Sequence, residues 1–447
     1  MSKFNSFVYD LTEMFNPEIV NAKCYVHFRL SPSYIFDGFA GGAPFGFDWI
    51  RTGDCLNISV ANDIPYKDIV GLNYKLNNST LERNLNSTKL KFQKNAKMYK
   101  ALISSYLPNT LRMFPVKNNS VNHYHVPVLS IYPKHKKMLG SLDVKDEKAK
   151  LLLLIHIEES PKEFFLEYDK DIFDITGADH LPVEVADCKK MEISISCKKE
   201  FYRDELIRVI SKDKYGRRHL SGMLRVWKNA RVFRKSVRII CIDTILRLKQ
   251  GALEKRGSDM KIARESVEYF LPHALITPII IKDELVITDD ALWGWIKGFN
   301  TLHVTNLRVK DYKKATVKDY LHTYLKNRYQ KKENNKLLNN KDILIFFMPF
   351  SRFYGGDSRV VGVTRENVVI LKKEYYNTTA IHEVLHALGL SHSFNNYELG
   401  GAVRTKYTYE IYKTDNIMDY SKNMFDSRSN LWEWQWIKIR MNTNKES

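Results

Sequence analysis

The segment from His382 to His392 constrains this chain more than any other. It reads H-E-x-x-H-x-x-G-x-x-H. If the segment is helical, His382 and His386 lie one turn apart on the same face, so both imidazoles can reach one ion. Gly389 lacks a Cβ and takes a left-handed conformation cheaply, so a reversal there would return His392 as a third nitrogen ligand. Glu383 lies beside a ligand without being one.

This ligand set predicts a catalytic zinc site. Three protein ligands leave one coordination position open, which catalytic zinc requires and structural zinc does not. Glu383 is placed to hold a water molecule in that position and to act as its base. An amphipathic helix with two accidental histidines is the simpler alternative, but Gly389 and His392 also fall in register. We therefore expect one Zn²⁺ at His382, His386 and His392, although the ligand types also admit another first-row metal.

A second motif, Asn416-Ile417-Met418-Asp419-Tyr420, places Met418 26 residues after the third histidine. Together the two motifs resemble those of the metzincin clan of zinc endopeptidases, in which a tight turn puts a Met beneath the metal. The resemblance covers Asp342 to Arg440. It implies peptide-bond hydrolysis by metal-activated water, with Glu383 as general base and Met418 as a structural floor for the ligands.

Tyr420, two residues after Met418, is similar to a tyrosine of the astacin and serralysin branches. There it can bind the metal and then swing to stabilise the reacting oxyanion. A packed aromatic residue after a turn is the alternative interpretation. The chain has no calcium-binding repeat of the G-G-x-G-x-D type, so the similarity to serralysins is confined to the site. The resemblance also implies a substrate-pairing sheet edge just before the zinc helix, here Val368-Val369-Ile370, unless that strand is internal.

The length and composition indicate several globular domains, since the chain has 447 residues of which 44% are hydrophobic. We expect an α+β multidomain protein. Its predicted parts are a β-rich N-terminal domain (1–140), an immunoglobulin-like β-sandwich (148–247) and a metzincin-like α/β catalytic domain (258–447), with a linker at 249–258. Strand-like runs separated by turns, from Lys150 to Asp243, predict the sandwich. The last of these runs is Ser236 to Asp243.

Beyond the linker, helix and strand patterns alternate. A helix is predicted from Thr316 to Lys332, followed by strands from Asp342 to Phe350 and from Val360 to Leu371. Asn377, Thr378 or Thr379 is expected to cap the zinc helix. Near the C-terminus, tryptophans alternate at positions 432, 434 and 436. They could form a carbohydrate or membrane platform, but we expect a helix that packs its apolar side under the site.

The net charge of +19 is unevenly distributed. Residues 141–187 hold 13 acidic and 5 basic side chains, whereas residues 188–240 hold 5 acidic and 16 basic ones. A basic surface can bind nucleic acid or a lipid surface. Because no recognised nucleic-acid module surrounds these residues, we expect a solvated basic surface instead. The expected partners are a protein or peptide substrate and a partner protein or secretion apparatus at the β domains. A zinc-binding module without catalysis, acting by adhesion or docking, is the rival function.

Five cysteines without a C-x-x-C pair predict buried thiols, although a Cys188–Cys197 bridge stays open. Cys24, Cys55 or Asp54 could ligate the zinc and keep the enzyme latent, but none lies in a known pro-segment motif. His123 and His125 share a strand face and could form a second ligand pair. We expect a plain strand surface there, because no further ligand stands nearby.

The N-terminal residues 1–10 lack the apolar core and cleavage site of a secretory signal peptide. The apolar runs are too short to span a bilayer. The sequence therefore predicts a soluble protein that is cytoplasmic or exported without a signal peptide. The segment Phe45 to Ile50 and the sandwich are similar to N-terminal parts of secretion-system-associated proteins of Bacteroidota, which implies an exported effector or toxin.

Overall fold

A computed structural model of the chain describes residues 23–32, 45–53, 64–74, 91–106, 112–113, 122–134, 148–178, 180–247, 254–255, 260–287, 317–332, 339, 341–349, 362–373, 375, 378–396, 404–420 and 428–445. These residues contain both helices and several sheets, which confirms the mixed α and β composition expected from the sequence.

The strands of the described residues are β1 (Cys24–Leu30), β2 (Gly46–Asp48), β3 (Gly71–Tyr74), β4 (Lys91–Lys94), β5 (Arg112–Met113), β6 (Asn122–His123), β7 (Val128–Ser130), β8 (Ala149–Ile157), β9 (Glu163–Glu167), β10 (Phe173–Thr176), β11 (Ala186–Cys197), β12 (Glu205–Lys212), β13 (Arg218–Val226), β14 (Lys235–Arg247), β15 (Glu254–Lys255), β16 (Ile276–Ile287), β17 (Ile343–Phe347), β18 (Gly362–Arg365), β19 (Val368–Leu371) and β20 (Asn444–Lys445). The α-helices are α1 (Tyr66–Ile69), α2 (Ala96–Ile103), α3 (Met260–Phe270), α4 (Val317–Lys332), α5 (Thr379–Ala387) and α6 (Glu433–Arg440).

Two sheets in the N-terminal half share one hydrophobic core. The first has the order β1-β8-β11-β10, and its strands are antiparallel. The second has the order β2-β7-β13-β12-β9, in which β7 and β13 run parallel. Apolar side chains from both sheets, among them Phe28, Leu153, Val209 and Leu224, form a single buried cluster. At Gly222 the sheets come so close that a Cβ would lie 2.5 Å from the Val26 carbonyl oxygen.

The uneven charge of the sequence is partly neutralised by strand pairing. Strand β9, from the acidic segment, pairs with β12 from the basic segment. Glu163 contacts Lys212 at 2.6 Å, and Glu167 contacts Arg208 at 3.6 Å and also Arg218. Part of the charge asymmetry along the chain is therefore balanced within one sheet, among β9, β12 and β13.

A seven-stranded sheet forms the core of the C-terminal half. Its main order is β15-β14-β17-β19-β18, and β14 also pairs with β16 and β20. The pairs of β14 with β16 and β17, and of β17 with β19, are parallel. Strand β18 runs antiparallel to β19.

Helices cover both faces of this sheet, because alternate side chains of a strand point to opposite sides. Ile239 and Ile345 lie in a cluster with residues of α3 and α5. Ile240 and Leu344, one position along, lie in a second cluster with residues of α4. Strands buried on both faces explain the uninterrupted apolar runs of this region.

Strand β14 corrects one expectation. The run Ser236 to Asp243 was assigned to the sandwich, but it pairs in parallel with β16 and β17. Its two buried faces suit the centre of a parallel sheet better than the polar-outside pattern of a sandwich strand. Likewise, β1 pairs with β8, and β7 with β13. Strand pairing thus crosses the boundaries expected after residues 140 and 247.

The stretch Val360 to Leu371 was predicted as one strand, but it forms a hairpin. Arg365 faces Val368 across a two-residue turn, in which Glu366 has a φ of 51°. Lys326 of α4 anchors the turn by donating to Asn367 Oδ1 at 3.0 Å. The sheet edge expected at Val368-Val369-Ile370 is also wrong. These residues lie in β19, which is internal, and β18 forms the sheet edge among the described strands.

The described residues between Ile50 and Tyr106 pack against residues from Tyr407 to Trp434. Its buried side chains form a cluster with Tyr407, Tyr409, Trp432 and Trp434. The remaining tryptophan, Trp436, is fully buried in the core under α3 and α5. Burial of the three alternating tryptophans excludes the exposed platform and confirms a packed C-terminal helix.

No helix within the described ranges combines the length and the apolar character needed to cross a bilayer.

Candidate metal centre

Helix α5 carries the first two histidines of the motif. Its apolar residues, such as Ile381 and Val384, pack on the seven-stranded sheet. Thr378 is the N-cap residue, and its side chain makes no capping hydrogen bond to the helix. Its carbonyl oxygen instead accepts the His382 N–H at 3.0 Å. The amphipathic pattern therefore fixes which face of the helix carries the histidines.

The helix ends in the left-handed turn expected at Gly389, where φ is +90°. The Leu390 N–H donates to the Leu385 carbonyl and the Gly389 N–H to the His386 carbonyl, both at 2.9 Å. These two bonds form a Schellman motif, which closes a helix and reverses the chain. The reversal brings His392 back beside the helix.

The structure brings the three predicted ligands together. The Nε2 atom of His386 lies 3.1 Å from that of His382 and 3.2 Å from that of His392. One ligand atom of each residue lies within 4.8 Å of the others, and no other group of this kind occurs among the described residues. Zn–N bonds of about 2.0–2.1 Å would place tetrahedral ligand atoms roughly 3.3 Å apart, close to the observed spacing.

Hydrogen bonds to carbonyl groups set the tautomers of two of these rings. His382 Nδ1 lies 2.7 Å from the Ile417 oxygen, and His386 Nδ1 lies 2.8 Å from the Leu390 oxygen. A carbonyl only accepts, so each Nδ1 must carry the proton and each neutral Nε2 must present a lone pair. Acceptor atoms about 3 Å apart repel one another unless a cation lies between them. The donor set therefore fits a metal ion.

The electrostatic environment keeps His382 and His392 neutral. Burial, and then the neighbouring His386 and His392, hold the pKa of His382 well below its usual value, with a smaller effect from Arg428. Burial likewise lowers the pKa of His392, assisted by His386 and Arg428. Neutral imidazole is the form that binds metals. His382 and His392 are thus in the metal-binding form near neutral pH.

Glu383 lies on α5 next to the first ligand and is only 8% exposed. Its Oε2 atom accepts a hydrogen bond from the Thr364 hydroxyl of β18 at 2.5 Å. The Thr364 Oγ1 atom also lies 3.0 Å from the Glu383 carbonyl oxygen. At Gly362 a Cβ would lie 2.8 Å from Glu383 Cγ, so the edge strand leaves room for this side chain only because residue 362 is a glycine.

Aromatic rings enclose the third ligand. Phe394 stacks on His392 with ring centroids 5.0 Å apart, and the Tyr420 ring lies 4.7 Å from His392. Burial, and then the charge of Glu383, raise the pKa of Tyr420. Its phenol therefore stays protonated at neutral pH. The Tyr420 ring thus lies beside the third histidine.

The turn around Met418 is buried and tied together by side chains. The Met418 N–H donates to Asn416 Oδ1, and the Met418 carbonyl accepts the Ser393 N–H, both at 2.9 Å. The Asp419 carboxylate accepts the Thr414 hydroxyl at 2.7 Å. Met418 itself is fully buried in the core that contains α5. The turn thus holds the segment after His392 in place.

The other candidate ligands are not brought to this site. Cys24 is buried and its Sγ lies 3.6 Å from the Glu159 carbonyl oxygen. Cys188 and Cys197 are not joined, so the disulfide left open by the sequence does not form. Asp54 and Cys55 lie outside the described residues. The side chain of His123 lies outside those that the structure describes, and His125 belongs to no group of three metal-ligating side chains among the described residues.

Compared with protein-family models and with curated proteins, the chain shows no match.

Three side chains of this centre lie outside the sequence motifs and were not predicted: Thr364, Phe394 and Arg428. Thr364 lies in an ordinary strand pattern, and Arg428 lies ten residues beyond Met418 in a segment without a motif. Only Phe394, two residues after the third histidine, lay close enough to the motif to be noticed.

Proposed function

We propose that this chain is a zinc-dependent endopeptidase with a metzincin-like catalytic domain. His382, His386 and His392 are the proposed ligands of one Zn²⁺ ion. One observation carries the proposal: the Nε2 atoms of His382 and His392 lie 3.1 and 3.2 Å from that of His386, and carbonyl bonds leave two of these atoms with a free lone pair.

The chemistry needs a base and an acid beside the reacting carbonyl. When bound there, Zn²⁺ supplies a Lewis acid that lowers the pKa of water towards ~7 and stabilises negative charge on oxygen. Glu383 accepts a proton from the attacking water and passes it to the leaving amine. The protonated Tyr420 phenol donates a hydrogen bond to the developing oxyanion. Met418 takes no part in proton transfer and supports the ligand segment.

The edge strand β18 is the proposed docking site for the substrate backbone. An extended peptide can add to an exposed strand edge through main-chain hydrogen bonds. Strand β18 contains Thr364, which touches Glu383, so a peptide paired with this edge would pass close to the base. This replaces the edge expected at Val368-Val369-Ile370.

The test is hydrolysis of casein by the purified full-length chain, with and without a chelator. We expect activity that is lost on chelation and restored by zinc. Glu383→Gln should retain zinc and lose about 10²–10⁴-fold in rate, since it removes general-base catalysis. Glu268→Gln, a half-buried glutamate paired with Arg264 on α3, is the matched control and should retain activity.

Two outcomes contradict the proposal in different ways. Hydrolysis by Glu383→Gln at the parent rate would show that the base is another group. A fully zinc-loaded parent protein that cleaves neither casein nor a proteome-derived peptide library would instead favour the zinc-binding module without catalysis.

A further inference from the structure

Arg428 joins the start of the zinc helix to the turn that contains Met418. Its side chain is buried, with 9% of the residue exposed. Nη2 donates to the Thr378 hydroxyl at 2.8 Å, at the N-cap of α5. Nη1 donates to the Asp419 carbonyl at 2.8 Å. One guanidinium group thus joins two separate elements of the chain, the start of α5 and the turn that contains Met418.

The same Nη1 atom reaches a carbonyl that orients a ligand. It lies 3.4 Å from the Ile417 oxygen, which also accepts the bond from His382 Nδ1 at 2.7 Å. A carbonyl oxygen has two lone pairs and can accept from both groups. The position of this oxygen fixes the ring of His382, and the backbone of the zinc helix is fixed at Thr378, whose carbonyl accepts the His382 N–H. Arg428 therefore contacts the two groups that orient His382, the Ile417 carbonyl and Thr378.

A lysine at position 428 could not make the same set of hydrogen bonds. The guanidinium group is planar and presents five donors in a rigid fork, whereas an ammonium group is a compact point charge. Simultaneous bonds from two nitrogen atoms, one to the helix and one to the turn, need the fork. Partners that orient metal ligands contribute about 10–100-fold to metal affinity.

We propose that Arg428 is a positioning residue of the metal centre, which holds the Ile417 carbonyl and the start of α5 so that His382 faces the metal. The proposal rests on the metal site of the proposed function but does not depend on peptide hydrolysis. Its test therefore measures metal binding, so that an inactive but zinc-binding protein leaves it intact.

The experiment compares Arg428→Met and Arg428→Lys with the parent chain, using Zn²⁺ affinity by chelator competition and the visible spectrum of the Co²⁺ complex. Arg428→Met should bind Zn²⁺ 10–100-fold more weakly, in the range expected for ligand-orienting partners. Arg428→Lys should fold, lose about 10-fold in affinity and show an altered Co²⁺ spectrum, because one support is lost. Arg234→Met is the control: Arg234 is even more deeply buried but contacts Glu200, and parental affinity is expected.

Parental zinc affinity in a folded Arg428→Met or Arg428→Lys protein would overturn the proposal. So would a failure of both variants to fold with and without zinc, because Arg428 would then be required by the fold as a whole. An equal loss of affinity in Arg234→Met would show that any buried arginine has the same effect, and this too would overturn it.

Discussion

At the scale of single residues, the carboxylate of Glu383 is restrained from a neighbouring strand. The Thr364 hydroxyl reaches Oε2 at 2.5 Å, and Gly362 leaves the space that the side chain occupies. A base must be held within a fraction of an ångström of its productive position by its surroundings. We therefore expect Thr364 to limit the movement of Glu383 without touching the substrate.

Thr364→Val keeps the shape of the side chain and removes its hydroxyl. It should lower kcat about 10-fold, because a hydrogen bond to a charged group contributes about 1.5–3 kcal/mol. KM and zinc content should change little. Steady-state kinetics on casein-derived peptides, together with metal analysis, measures all three.

The matched substitution is Thr244→Val, at a fully buried threonine of β14 whose hydroxyl has no hydrogen-bond partner among the described residues. It should leave kcat unchanged. Thr364→Ser, which restores the hydroxyl, should recover most of the activity. If Thr364→Val and the parent have the same kcat, the hydroxyl does not restrain the base.

The metal-binding side chains could be predicted from the sequence, whereas their supports could not. His382, His386 and His392 lie within eleven residues, so helical geometry and one glycine turn relate them. Thr364 and Arg428 reach the site through contacts between separate elements. No local spacing encodes such contacts.

At the scale of elements, the end of α5 determines where the third ligand lies. The Schellman turn at Gly389 is followed by His392 after two residues. Asn442, just beyond α6, donates from Nδ2 to the Leu388 carbonyl at 2.8 Å. A Cβ on Gly389 would lie 2.7 Å from that Nδ2 atom. The glycine is therefore needed for its backbone conformation and for the approach of Asn442.

Gly389→Ala should lower the free energy of unfolding more than Gly216→Ala. Both glycines have positive φ, of 90° and 81°, so both substitutions carry a left-handed strain of about 1–2 kcal/mol. Only Gly389→Ala also displaces Asn442, because nothing lies within 4 Å of a Cβ at Gly216. Urea unfolding of both zinc-free variants measures the difference. Equal losses would mean that Asn442 moves aside without cost.

The sequence pattern predicted the type of most elements but not their neighbours. The helix Val317–Lys332 and the strand Ile343–Phe347 lie within the ranges expected for them. The hairpin of β18 and β19 was missed because its turn, Glu366-Asn367, lacks the glycine that usually marks a two-residue hairpin. With the hairpin missed, the sheet edge was assigned to the wrong strand.

At the scale of the whole molecule, the N-terminal segment belongs to the same packed unit as the metal centre. Asn73 donates from Nδ2 to the carbonyls of Phe394, at 3.2 Å, and Tyr409, at 2.8 Å. Arg51 donates to Asp415 at 2.8 Å, directly before the turn that contains Met418. These contacts join residues more than 300 positions apart, so no periodicity in the sequence could reveal them.

Arg51→Met should destabilise the protein by about 3–5 kcal/mol, because it leaves the buried carboxylate of Asp415 without its cation. It should also weaken zinc binding, since Asp415 leads into the ligand-supporting turn. Thermal unfolding and chelator competition measure the two effects. Arg218→Met, which removes a half-exposed pair with Glu167, should cost less than about 1 kcal/mol. Equal stability of the two variants would show that the Arg51–Asp415 ion pair does not stabilise the contact between the N-terminal segment and the turn that contains Met418.

The Arg51–Asp415 contact also orders events during synthesis. Its two residues are 364 positions apart, so Arg51 leaves the ribosome long before its partner. At about 5–20 residues per second, that interval lasts roughly 20–70 seconds. Throughout it, the nascent chain has no finished metal centre. The proposed hydrolytic activity would thus begin only after the turn that contains Met418 has been translated.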